Sequence, residues 1–396
     1  MLKRVIWASL VEEQTKREIA VIHGARRTGK TTILMGLKDL FENQNLHTVF
    51  YDFTDPDVIS LFENFSEVFL TRLFGELGLR VDQKLIVFMD EIQYFPKIGN
   101  LLKLIYDHFP QVKVYASGSS SFLMMEKIGD SLAGRKKLFE LFPFTLGEIA
   151  EIDIKNYWAF KTVLSRQSEF VEKMKQMMVF GSYPAIWFET EGKHKISKLS
   201  ELVDAVLFKD IFAHEGVKKP QVIIDLARLL AYQVGSLVNP NELAMTLGVS
   251  RTTVLNYIGL LEKFFIVMPL RPLTNNMRNE VGTKNKIYFY DLGVRNSLIG
   301  NFEAFETRLD QGQLWENLMV MGVKKRIAYN EDNYPIFYWR SYSGKEIDLV
   351  IKRGSKYLAF EAKVAGKGKI STEFSGKYEM EWGKIWGVKE GCGLVM

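Results

Sequence analysis

The sequence predicts an α/β protein built first around a mostly parallel sheet, and three observations carry that prediction. Gly24-Ala25-Arg26-Arg27-Thr28-Gly29-Lys30-Thr31-Thr32 stands between the apolar run Ile19-Ala20-Val21-Ile22 and the helix-forming run Ile33-Leu34-Met35-Gly36-Leu37. That is a phosphate-binding loop in its strand–loop–helix setting. Leu85-Ile86-Val87-Phe88-Met89 is an unbroken apolar run that closes on Asp90-Glu91, as in a strand buried on both faces. Strand-like and helix-like segments alternate through residues 19–143, which indicates crossover connections and a ligand at the carboxyl ends of the strands.

Each residue type in the loop has a physical reason. Gly24 and Gly29 permit backbone geometries that a Cβ would obstruct. Ala25, Arg26, Arg27, Thr28 and Thr32 complete a run of backbone amides that can face an anion at the start of a helix. Lys30 is expected to reach the β- and γ-phosphates of a nucleotide, and the Thr31 hydroxyl to ligate Mg²⁺. Asp90 is the second Mg²⁺-holding group, and Glu91 is placed to polarise the attacking water. Ser117 and Ser119, at the tip of the next strand, either touch the γ-phosphate or form a Ser/Gly turn. Arg135 is either an arginine finger on a neighbour's nucleotide or an exposed basic residue.

The bulk numbers fit this reading. A length of 396 residues implies several domains, and 47% apolar with 25% charged residues suits a globular core. No run approaches the roughly 20 apolar residues of a membrane span, and the amino terminus lacks a signal-peptide pattern, so a cytoplasmic protein with no membrane partner is expected. The single Cys392 excludes an intrachain disulfide. A net charge of +5 leaves room for nucleic acid without demanding it.

In chain order, residues 1–17 read as a lead-in helix and 48–53 as a second strand. A helix is expected over 57–77, a strand over 112–116 and a closing strand over 139–143. Residues 145–217 turn helical and aromatic-rich. Asn239 and Pro240 then start a helix, Gly248 turns the chain, and Ser250 caps a helix with an apolar stripe of Val254, Tyr257, Ile258 and Leu261. That is a helix-turn-helix, with strands expected over 264–268 and 287–290 to make a wing. Arg251 and Asn256 are its candidate DNA contacts. The alternative is a packing or protein-docking module.

The loop, the 85–93 segment, Ser117-Gly118-Ser119-Ser120-Ser121 and the Gly134-Arg135 to Phe144 segment resemble the AAA+ ATPases. They are similar to a prokaryotic branch in which a P-loop ATPase domain and helical lid precede a winged helix and a nuclease-like domain. Gly181-Ser182-Tyr183-Pro184 and the 286–293 segment are similar to that branch too. The resemblance implies domains at 1–148, 149–218, 219–305 and 306–396.

The carboxy-terminal part holds Glu316 on a helix whose buried side is marked by Leu314, Leu318 and Met321, then Asp348, Glu361 and Lys363 on strands. Glu361 and Lys363 share a strand face. Two carboxylates and a lysine resemble the PD-(D/E)xK nuclease superfamily, with Glu316 as its helical acid. Charged residues alternating on exposed strands are the rival explanation, and the 365–369 loop departs from the active pattern. Three functions are therefore expected to compete: a Mg²⁺-dependent ATPase switching a DNA-associated module, an ATP-regulated nuclease, and an ATP-dependent switch that docks a protein partner or a second copy.

Overall fold

A computed structural model describes residues 3–80, 84–118, 132–151, 166–206, 211–212, 217, 219–274 and 284–388. Ser119 and Cys392 lie outside them. The chain divides into two compact units, one spanning Arg4–Phe142 and the other running from Pro143 onward and taking in Lys3. The segments expected as lid, helix-turn-helix and nuclease-like domain therefore share one unit.

The first unit holds five strands: β1 (Ile19–His23), β2 (His47–Asp52), β3 (Leu85–Asp90), β4 (Val112–Gly118) and β5 (Lys136–Glu140). Their order is β2-β3-β4-β1-β5, and every pairing is parallel. β3 and β4 are buried along their whole length, which explains the unbroken apolar run. Helices Lys30–Glu42, Pro56–Phe62, Glu67–Glu76 and Ile98–His108 connect the strands. One core cluster joins Val87, Met89 and Ala116 to Phe53, Phe62, Phe74 and Phe95.

Three expectations in this unit are corrected. The lead-in helix is short, Trp7–Glu12, and continues only as a 3-10 turn over Glu13–Thr15. The single helix over 57–77 is two, because Ser66 is extended and its Oγ accepts from the Phe69 N–H, starting a new helix. The closing strand is Lys136–Glu140 rather than 139–143, since it pairs Ile19 with Lys136 and His23 with Glu140. Its two leading lysines hide it from an apolar search.

The second unit opens with helices Leu146–Ile149, Gln167–Phe180, Pro184–Trp187 and Gly192–Asp204. Helices Pro220–Tyr232, Pro240–Leu247 and Arg251–Lys263 follow, then the antiparallel pair β6 (Val267–Leu270) and β7 (Lys286–Phe289). Asn239 and Ser250 both cap as expected, accepting from Asn241 N–H and Thr253 N–H, and Gly248 is left-handed at φ +62°. The strand expected over 264–268 starts later, because Phe265 adopts φ +58° where the chain leaves the helix. Helix Leu292–Ile299 leads to helix Gln311–Tyr329. The latter buries Leu314, Leu318 and Met321 as expected, and its burial extends nearly all round to include Trp315, Asn317 and Lys325.

The last sheet runs β11-β10-β9-β8, from β8 (Ile336–Arg340), β9 (Glu346–Arg353), β10 (Lys356–Ala362) and β11 (Met380–Trp386). Only β10 and β11 are parallel, across helix Thr372–Lys377. Among the described residues, no helix is long and apolar enough to cross a membrane.

Candidate functional site

The loop leaves β1 under tight steric control. A Cβ on Gly24, at φ +154°, would lie 2.2 Å from the Leu141 carbonyl oxygen, so only glycine lets the chain pass the segment after β5. Gly29 sits at φ +97° immediately before the Lys30–Glu42 helix, and Arg27 at φ +59°. The Thr28 hydroxyl donates to the Ala25 carbonyl at 2.9 Å and closes the loop on itself. The buried Lys30 ammonium donates to the Gly24 and Ala25 carbonyls at 3.1 and 2.8 Å. Thr32 is exposed on the first turn of that helix, Arg27 is exposed, and Arg26 donates to the Tyr94 hydroxyl at 3.1 Å.

The opposite wall comes from β3 and β4. Thr31 Oγ1 donates to Asp90 Oδ2 at 2.6 Å, joining residues 59 apart in sequence. Asp90 is buried and also accepts from the Ser117 hydroxyl and, at 3.1 Å, from the Glu91 N–H. Glu91 sits at φ +50°, a left-handed conformation that costs a non-glycine residue roughly 1–3 kcal/mol and tends to mark functional positions. The Gln93 side-chain amide donates to the Glu91 carboxylate and fixes its direction. The hydroxyl of Thr31 beside the carboxylate of Asp90 is a hard-oxygen pair suited to Mg²⁺.

Sequence reasoning missed two supports. Arg4 is buried, and its guanidinium donates to the Thr28 carbonyl at 2.7 Å and the Phe142 carbonyl at 2.6 Å. In a trans peptide the carbonyl and the following N–H point opposite ways, so Arg4 turns the Gly29 N–H away from itself. No local motif announces an arginine so far upstream of the loop. Gln93, two residues beyond Glu91, was legible only as part of the segment. Arg135 is not brought to the loop. Its carbonyl accepts from the Ile19 N–H at the starting end of β1, a strand length of roughly 15 Å from the loop, and its side chain pairs with Asp107 at 2.8 Å.

In the second unit, Arg251 and Asn256 lie on the exposed side of their helix, while Val254, Tyr257, Ile258 and Leu261 are buried. Glu316, Asp348 and Glu361 do come together, around groups that were not foreseen. Lys286 of β7 is buried and donates to Glu316 at 2.8 Å and Asp348 at 3.3 Å, and pairs with Glu346. The Tyr288 hydroxyl donates to Glu316 at 2.6 Å, and the Ala362 N–H to Asp348 Oδ2 at 2.9 Å. Lys363 is half exposed and stands 3.7 Å from Glu361.

The charges in this cluster are unequally served. Burial, with Asp348 beside it, raises the Glu316 carboxyl to about 7 against the pull of Lys286. Burial also raises Glu361, partly offset by Lys363. Lys286 is itself buried, which lowers it, but Glu316, Asp348 and Glu346 together outweigh burial and hold it firmly protonated. The two directions look opposed across one ion pair. The reason is that the ammonium is attracted by three carboxylates, whereas Glu316 is buried and also repelled by Asp348.

Three family models match successive stretches of the chain. Residues 16–150 match the AAA domain family, 171–304 match a domain of unknown function (DUF8612), and 311–384 match another (DUF4143). An uncharacterized protein of Haemophilus influenzae is 25% identical over 357 residues, covering 86% of this chain and 81% of its own. The uncharacterized protein Rv2008c of Mycobacterium tuberculosis is 24% identical over 359 residues, covering 89% and 72%. Among solved structures, the Walker-type ATPase PABY2304 of Pyrococcus abyssi aligns at a TM-score of 0.47 and 17% identity, covering 76% of this chain and 96% of that one. Residues 16–150 are thus similar to an AAA-type, P-loop ATPase-like domain.

Proposed function

We propose that the protein is a Mg²⁺-dependent ATPase whose nucleotide state switches a DNA-associated carboxy-terminal module. The observation that carries this reading is the 2.6 Å hydrogen bond from Thr31 to Asp90, which unites the phosphate loop with the acidic end of the central strand. Backbone amides of residues 24–32 receive the phosphates, and Lys30 leaves its carbonyl partners to bind the β- and γ-phosphate oxygens. Mg²⁺ held at Thr31 and Asp90 supplies charge neutralisation there. Glu91, aimed by Gln93, takes the proton of the attacking water. Ser117 orients Asp90. Arg135 has no part within its own chain's site, its guanidinium being bound to Asp107.

For the DNA arm, the support is the capped helix pair, the exposed Arg251 and Asn256, and the β6–β7 hairpin as a wing. The order helix, β8-β9-β10, helix, β11 supports a PD-(D/E)xK-like fold for the carboxy-terminal part.

The test is an ATPase assay with and without double-stranded DNA. Lys30→Ala should lose at least about 100-fold in turnover, since the lysine stabilises transferring charge. Wild-type turnover in that variant would end the ATPase reading. DNA should stimulate the wild type, and Arg251→Ala should weaken that stimulation. A response to neither would favour the protein-docking switch.

A further inference from the structure

We infer that Lys286 stands where a catalytic divalent cation of the nuclease-like fold would have to stand, so that the Glu316–Asp348–Glu346 cluster is a lysine-neutralised joint and neither binds metal nor cleaves DNA. The inference rests on the PD-(D/E)xK-like reading of the carboxy-terminal part and contradicts the activity usually expected of it.

The donor inventory is closed. An ammonium has three N–H groups, and three carboxylates meet Lys286: Glu316 at 2.8 Å, Asp348 at 3.3 Å, and Glu346. Each carboxylate also has a second partner. Glu316 accepts from Tyr288, Asp348 from the Ala362 N–H, and Glu346 lies 3.8 Å from Arg340. A Mg²⁺ ion needs ionised oxygens at about 2.0–2.1 Å in octahedral array. It would have to displace a buried ammonium from the same oxygens, or sit beside it against cation–cation repulsion in a poorly solvated place. Among the described residues, no group of three or more His, Cys, Asp or Glu is arranged to hold a metal ion.

The lysine's origin matters as much as its position. Lys286 is the first residue of β7, paired with Leu270 of β6 and bridged to Leu237, so it belongs to the wing of the helix-turn-helix. The carboxylates belong to the Gln311–Tyr329 helix and to β9. The cluster therefore fastens the wing to the carboxy-terminal sheet, a use of buried charge in which each partner enforces the other's register.

The experiment is Mn²⁺ titration of nucleotide-free, full-length protein followed by electron paramagnetic resonance, with plasmid nicking in Mg²⁺ or Mn²⁺ alongside. The wild type and Asp348→Asn should bind the same amount of Mn²⁺, and neither should nick. Lys286→Met should gain one bound Mn²⁺ per chain, lost again when Asp348→Asn is added. A wild-type Mn²⁺ site or nicking activity that disappears in Asp348→Asn overturns the inference while leaving the nuclease-like reading standing. A folded Lys286→Met that gains no Mn²⁺ overturns both. Should Lys286→Met fail to fold, the wild-type and Asp348→Asn pair decides alone.

Discussion

The two acidic centres of this protein use nearly the same residue types and reach opposite chemical states. At the phosphate loop, Asp90 faces the hydroxyls of Thr31 and Ser117, while the nearby lysine, Lys30, is held on the backbone carbonyls of Gly24 and Ala25. In the carboxy-terminal part, Glu316, Asp348 and Glu346 all close directly on Lys286. Hydroxyl hydrogen bonds are exchanged for a cation or a phosphate at little cost, because the hydroxyl can turn its lone pairs to the newcomer. A buried ammonium cannot be exchanged in that way. Removing it leaves uncompensated charge at a cost of roughly 3–5 kcal/mol. On the proposed assignments, a metal-ready carboxylate differs from a closed one in where the neighbouring lysine is tied.

Paired substitutions distinguish the two centres most sharply. Asp90→Asn should lower ATP turnover by about 100-fold or more, the several kcal/mol that a bound metal contributes to phosphoryl transfer. Asp348→Asn should leave turnover within about twofold, since its carboxylate already spends both oxygens on Lys286 and Ala362 N–H. Steady-state ATPase assays of both variants check this, and comparable losses would erase the distinction.

A smaller effect is expected at Arg4, which touches neither centre's carboxylates. Arg4→Ala frees the Thr28 carbonyl and should raise KM for ATP about tenfold, equivalent to ~1.4 kcal/mol of lost preorganisation. Arg4→Lys, which restores one donor, should recover part of it with kcat little changed. A loss confined to kcat would argue against a positioning role.

A separate effect, on stability rather than turnover, concerns pH. The folded Glu316 carboxyl is raised to about 7 from 4.5, so the folded state holds a proton that the unfolded state has released. Its contribution is fully present below pH 4.5 and is lost as pH rises through 7, on the order of 3 kcal/mol in all. Melting curves of wild type and Glu316→Gln between pH 5 and 8 should therefore diverge, with the variant gaining relative stability as pH rises. Parallel Tm profiles would refute the assignment.

Sequence by itself determined the phosphate loop, the acidic end of β3 and the helix-turn-helix caps, because each is written in neighbouring residues. Gly24, Lys30 and Thr31 are placed by one loop and the first turn of the helix after it. Asp90 is marked by the apolar run before it, and Ser250 by its place before a helix. It also placed Glu361 and Lys363 on one strand face by periodicity and Asp348 beside them through a turn, while Glu316 was a candidate through the nuclease-like resemblance. Tertiary structure alone decided what those groups face. Arg4 meets Thr28 across 24 residues, Arg135 falls at the wrong end of the sheet for its own loop, and Lys286 meets Asp348 across 62. Periodicity reports which side of an element a residue occupies, whereas the partner on that side comes from packing between elements distant in sequence. A carboxylate's readiness for metal depends on that partner, so it was invisible until the chain was folded.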